Sequence, residues 1–252
     1  MMKQLITLLF SVFAFVILGQ VNQIDAKGRK QGIWEKTYPN SRVFQYRGQF
    51  KDDKPVGTFT YFYPNQKVKA VIKHDPVGNR SVANLYHDNG IIMGVGIYRN
   101  EQKDSIWLNY GPSGRISNSE TYKNGVLHGL KVIYFVPEDP EDRTQRIAAK
   151  QTFVDGKIDG QFVEYFDNGQ LRKTGQYVNF KPDGEWVYYQ PTGAKLMLER
   201  YKDGKQHGYQ MAYDDAGEYA NRVYYCYGQR LEGKALEHRL AQLKEKGLGP
   251  ND

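Results

Sequence analysis

Aromatic and glycine positions recur along this chain with a fixed long period. Segments of the form aromatic-x-Asn/Asp-Gly-x-x-x-Gly run from Tyr122 to Gly129, Phe153 to Gly160 and Tyr201 to Gly208. Weaker copies run from Phe50 to Gly57, Tyr98 to Ser105 and Tyr177 to Gly184. Anchored on the last residue, the units fall at Gly32, Gly57, Ser81, Ser105, Gly129, Gly160, Gly184 and Gly208, at intervals of 25, 24, 24, 24, 31, 24 and 24 residues. Eight units at a near-constant spacing define an array.

A short pattern repeats inside each unit. Five residues after the anchor stands Phe62, Tyr86, Tyr110, Tyr134, Tyr165, Tyr189 or Tyr213, with Thr37 the exception. Nine residues after it Gly90, Gly114, Gly169, Gly193 or Gly217 follows, and seventeen after it Tyr98, Tyr122, Tyr177, Tyr201 or Tyr225. Asn89-Gly90 and Asn168-Gly169 are turn signals of the kind that need positive φ. Each unit therefore reads strand, tight turn, strand, tight turn. A single hairpin cannot bury its face alone, so the units must stack. The expected fold is all-β: an elongated antiparallel single-sheet repeat array of stacked β-hairpins with a C-terminal capping α-helix. Sixteen strands spaced about 4.8 Å apart would extend about 75 Å. The aromatics two and five residues past the anchor are an odd number apart, so a regular strand would point them to opposite faces. Either both faces carry aromatic ladders, or a bulge near the anchor glycine realigns them.

The flanks and one interval break the pattern. Leu231, Ala235, Leu236, Leu240 and Leu243 fall at mostly helical spacing before Gly247, which predicts an amphipathic helix over 231–246 within a C-terminal helix and tail, 229–252. Such a helix would cover the last hairpin and its open edge; the alternative is a partner-docking helix. The 31-residue interval holds seven extra residues around Val136–Arg143, with two prolines and four carboxylates that cannot continue a paired strand. This insertion, 136–143, is expected as a solvated loop at a hairpin tip. Its carboxylates, Glu138, Asp139, Glu141 and Asp142, are the candidate contact for a partner carrying basic residues.

At the other end, Lys3 precedes an uncharged run from Leu5 to Gly19. Fifteen helical residues reach about 22 Å, short of the roughly 30 Å of a bilayer core. Residues 1–19 therefore read as a secretory signal, with cleavage expected before Gln20. No lipid-accepting cysteine follows, so no membrane anchor of the chain's own is expected. Residues 20–27 read as an N-terminal linker and 28–228 as the array.

Composition narrows the chemistry. Tyr 20, Phe 12 and Trp 3 with Gly 26 fit short strands separated by turns. A single cysteine removes disulfide frameworks, Cys-rich zinc sites and iron–sulfur clusters from consideration. The net charge of +7 comes from dispersed basic residues rather than a run, so no nucleic-acid groove is expected. Gly94-Val95-Gly96 lacks the third glycine and the helix of a phosphate fingerprint. The histidines show no metal-ligand spacing; His128 and His207 share one slot before the anchor and read as turn residues. Cys226 reads as a buried small hydrophobe. No nucleophile has an identifiable base, so neither an enzyme nor a cofactor or metal site is expected.

The Tyr-x-Asn-Gly-x-x-x-Gly units at 24-residue spacing resemble MORN repeats. They are closer still to the bacterial variant in YwqK-like antitoxin proteins, whose unit Gly-x-Trp-x-x-Tyr-x-x-x-Gly matches Gly184 through Trp186 and Tyr189 to Gly193. The resemblance covers about residues 28–228 and implies a scaffold that holds proteins or membrane surfaces. Together with the signal, it gives the first reading: a non-catalytic exported scaffold binding a protein partner in the bacterial envelope, as a periplasmic component of an outer-membrane assembly. A second reading is a glycan- or cell-wall-binding module that uses exposed aromatics on polysaccharide. A third is an antitoxin-like binding protein, against which the signal counts.

Overall fold

The computed structural model describes residues 20–76, 79–137, 139, 141–142 and 144–252. The expected signal, 1–19, lies outside the described residues. Nineteen strands follow in order among those described. Before the insertion come β1 (Gln23–Ile24), β2 (Lys30–Thr37), β3 (Phe44–Lys51), β4 (Lys54–Phe62), β5 (Val68–His74), β6 (Arg80–Tyr86), β7 (Ile92–Arg99), β8 (Gln102–Tyr110), β9 (Ile116–Lys123) and β10 (Val126–Tyr134). After it come β11 (Ile147–Val154), β12 (Lys157–Tyr165), β13 (Leu171–Val178), β14 (Lys181–Tyr189), β15 (Lys195–Lys202), β16 (Lys205–Gln206), β17 (Gly208–Tyr213), β18 (Tyr219–Cys226) and β19 (Gln229–Leu231). Helix α1 (Gly233–Glu245) ends the array.

The strands form one open antiparallel meander. Each pairs with its chain neighbours from β1–β2 to β18–β19, and β15 pairs with both β16 and β17, two pieces of one strand parted at His207. Three extra strands over the expected sixteen have local causes. Residues 20–27 are not a plain linker, because β1 lies there and pairs Gln23↔Gln31 and Ile24↔Lys30. The sheet also continues past 228, since Leu231 pairs with Tyr224 in β19 rather than opening the helix.

Two irregularities recur along the array. At the anchor, β4 places Gly57, Thr58 and Phe59 against the single residue Gly48, between the pairs Gln49↔Val56 and Arg47↔Thr60. The bulge needs a left-handed backbone there, which Gly57 supplies at φ +67° and Ser105, in the same position of β8, at φ +60°. A second register shift falls between the fourth and fifth residues after every anchor, as at Tyr61/Phe62 and Tyr188/Tyr189. The rings two residues past the anchor form one ladder with the tyrosines of the neighbouring strands: Tyr98 lies 4.9 Å from Trp107, and Tyr177 5.0 Å from Trp186.

The ladder is close-packed because its floor is glycine. A Cβ at Gly48, Gly96 or Gly175 would lie 2.3, 2.1 or 2.2 Å from Phe59, Trp107 or Trp186. Each of these glycines stands eleven residues before its ring. Trp107 is 0% and Trp186 2% exposed. Among the described residues no second layer covers this face, and lysine stems do so instead: Lys103 Nζ lies 4.5 Å from the Trp107 ring, and Lys173 Nζ 4.7 Å from Trp186.

Hydrogen bonds between units stitch both rims of the sheet. On one, the Tyr38 and Tyr63 hydroxyls each donate to a carbonyl one unit on, Phe62 and Tyr86, at 2.7 Å. On the other, Gly125, Gly156 and Gly228 N–H groups donate to the Lys103, Leu127 and Gln206 carbonyls at 2.8 Å. Helix α1 buries Leu243 at the end of the array. Beyond it, the tail folds back so that Asn251 Oδ1 accepts from Tyr209 N–H at 2.9 Å.

Candidate functional site

The inserted loop leaves β10 at Tyr134 and returns at Ile147, at the rim where β9 and β12 present their own turns. Val136 is 65% exposed at its start. Of the four carboxylates singled out above, Glu138 lies outside the described residues. The other three share the hairpin tip but not one role. Asp139 Oδ1 accepts from the Glu141 N–H at 2.8 Å, and both residues are exposed. Asp142 is tied inward. Its carboxylate accepts from the Thr144 hydroxyl at 2.6 Å and the Thr144 N–H at 2.8 Å, and pairs with Arg146 at 2.7 Å. These Thr144 bonds, with Arg146 and Arg115 nearby, hold the Asp142 carboxyl below the usual carboxylate range.

Two arginines anchor the loop to its neighbours. Arg146 also reaches Asp167 at 3.3 Å, on the turn after β12. Arg115, on the turn before β9, donates to the Asp139 carbonyl at 3.3 Å. Sequence reading missed both residues, although Arg115 precedes Asp139 by 24 residues, the period of the array. The described residues of the loop are therefore tied to both neighbouring turns, with Val136, Asp139 and Glu141 exposed.

Elsewhere the ladder changes chemistry where its floor changes. At Lys131 and Gln210 the ring is absent, and the floor residue is Glu120 or Glu199 in place of glycine. Lys131 Nζ lies 2.9 Å from Glu120. Tyr188 and Tyr201 hydroxyls both donate to Glu199 Oε2, at 2.8 and 2.9 Å. Burial, and then the bond to that carboxylate, pushes the Tyr201 hydroxyl up to about 12.

The histidines do not all behave as turn residues. His128 is partly exposed and 3.2 Å from Asp155. His207 is 1% exposed, accepts from Tyr227 N–H at 3.3 Å and donates to the Asp252 carbonyl at 3.0 Å. The returning tail buries it, which its spacing could not foretell. Cys226 is half-buried. The burial of Trp107 and Trp186 leaves those two rings no open faces to offer a sugar. Among the described residues, no group of three His, Cys, Asp or Glu could hold a metal ion, and no helix is long and apolar enough to cross a membrane.

This geometry defines a class: a single-layered β-hairpin repeat protein with a helical cap and one loop standing out of the array. The MORN repeat variant family model matches residues 158–179, running from β12 into β13. The chain is thus a repeat protein with a MORN-type unit in its sheet. No curated protein matches it. Among solved structures, the chain is similar to a mutant of S. aureus TarM in complex with Fondaparinux, alpha-GlcNAc-glycerol and UDP, at 13% identity and TM-score 0.24, over 50% of this chain and 19% of that one. It is also similar to the Photorhabdus luminescens Tc holotoxin pore, at 11% identity and TM-score 0.17, over 81% of this chain and 11% of that one. A TcdB2-TccC3-Cdc42 structure matches at 9% identity and TM-score 0.16, over 81% and 12%. The chain spans less than a fifth of the length of each of these solved chains.

Proposed function

We propose that the chain is a non-catalytic, exported scaffold of the YwqK-like MORN variety that holds a protein partner in the bacterial envelope, as a periplasmic component of an outer-membrane assembly. One observation carries this reading: the described part of the inserted loop is tied to both neighbouring turns and carries an exposed apolar side chain, Val136, and two exposed carboxylates, Asp139 and Glu141. Repeat arrays tend to collect insertions on the face that meets partners. The partner surface would carry basic residues around an apolar spot, with Asp139 and Glu141 steering the encounter.

The test replaces Val136–Arg143 with a two-residue Asn-Gly turn. Loop closure changes by only about 0.6 kcal/mol per doubling of length, so melting should hardly move. Partner recovery by crosslinked affinity purification from the native envelope should be lost, and wild-type recovery should fall as salt rises. Unchanged recovery by the folded, shortened chain would sink the loop's role. Export is checked separately: intact mass should show a chain beginning near Gln20.

A further inference from the structure

The unit anchored at Ser81 departs from the array at several positions that converge in space. Its anchor lies outside the left-handed region that Ser105 and the anchor glycines adopt. Its ring position is Ala83, 0% exposed, and the floor opposite is Ile72 in place of glycine. Strands β5 and β6 therefore pair from Ala70↔Leu85 to His74↔Ser81 with no bulge. His74 takes the slot that tyrosine holds in other units; its ring packs edge-on to Phe59 at 5.2 Å, and its Nδ1 is 2.8 Å from Ser81 Oγ. Its Nε2 is buried and has no hydrogen-bond partner among the described residues.

A cleft of about 420 Å³ opens at this point on the rim, lined by Lys54, Pro55, His74, Arg80, Asn100 and Glu101 among others. That volume suits a small ligand. Lys54 has no ion pair among the described residues, and Arg80 has one at 3.9 Å to Asp75. The lining carries two cations, Lys54 and Arg80, against one carboxylate, Glu101, which favours an anion, and a guanidinium favours a planar carboxylate. Asn100, Glu101 and Ser81 supply acceptors and donors that match hydroxyl groups.

We infer that this cleft is a binding site for a carboxylated sugar, with Lys54 and Arg80 on the carboxylate and Asn100, Glu101 and Ser81 on the hydroxyls. The site is independent of the acidic loop and of any protein partner. Its test is a backbone amide NMR titration of the full chain with glucuronate, beside glucose, glutamate and inorganic phosphate. Glucuronate should give saturable shifts confined to the segments around Lys54, His74, Arg80 and Glu101. Arg80→Gln and Lys54→Gln should each weaken binding about tenfold, while Lys157→Gln, on the same rim, should leave it unchanged. Melting curves control for the Arg80–Asp75 pair, and Lys54, being exposed, carries the test if Arg80→Gln unfolds. Absence of saturable shifts, equal binding of glucose, glutamate or phosphate, or indifference to both substitutions would overturn the assignment.

Discussion

Gly94 and Gly96 lie two residues apart on β7 and are both buried, yet their substitution should have opposite outcomes. A Cβ at Gly96 would lie 2.1 Å from the fully buried Trp107 ring, whereas one at Gly94 would meet nothing closer than 3.6 Å. Gly96→Ala should therefore cost about 1–3 kcal/mol through overpacking. Gly94→Ala should be neutral, or stabilise by up to about 1 kcal/mol by restricting the unfolded chain. Urea midpoints at constant slope separate the two. His74 offers a second test. Burial pushes its pKa below the ordinary histidine value, opposed by the charge of Glu101. A group depressed in the folded state contributes stability above its unfolded pKa of about 6.5 and loses it as pH falls through the folded value. The stability gap between wild type and His74→Gln should thus narrow when melting is measured at pH 5 rather than pH 7.5.

The bulged strand comes in two forms, and the floor residue selects between them. Where glycine faces the ring, as at Gly48, Gly96 and Gly175, the bulge spans the anchor and the two residues after it. In β10 and β12, Thr121 and Thr152 stand opposite instead, and the bulge spans the anchor and one residue on each side. The anchor φ rises there to +115° at Gly129 and +100° at Gly160. The last hairpin depends on the tail as well. Asp252 carbonyl accepts from His207 at 3.0 Å and Arg239 at 3.3 Å, and Asn251 covers Gly208. Truncation after Gly247 should cost about 1–3 kcal/mol, from the loss of a few hydrogen bonds and the exposure of a buried imidazole. Hydrogen exchange should accelerate in β16–β18 and α1 while β2–β8 stay protected, since each unit contacts only its neighbours.

A sheet one layer thick exposes more surface than a globule. The chain's accessible surface is 17280 Å²; a compact monomer of 29.1 kDa would expose roughly 11,000 Å². Small-angle scattering should accordingly give a radius of gyration above about 18 Å, the value for a compact chain of this length. Stability must then come from many equivalent local interfaces rather than one deep core. That arrangement explains the lysines laid over the rings and the hydrogen bonds along both rims.

The period, the strands and the turns were legible in the residues because local chemistry repeated along the array dictates them. The C-terminal helix and the inserted loop were legible because each breaks that repeat with a local pattern of its own. Even the fit of ring on glycine was written there, as the eleven-residue offset shared by Gly48 and Phe59, Gly96 and Trp107, and Gly175 and Trp186. Other features depend on segments distant in the chain meeting in space. Spacing assigned His207 to a turn, and only the returning tail, 45 residues away, buries it. Nothing in the insertion's own residues foretold that Arg115, 24 residues earlier, would hold the Asp139 carbonyl. The cleft beside Ser81 needs turns from three successive units side by side. Periodicity determines what each unit is; tertiary packing decides what becomes of the residues that break the period, since their partners come from outside their own hairpin.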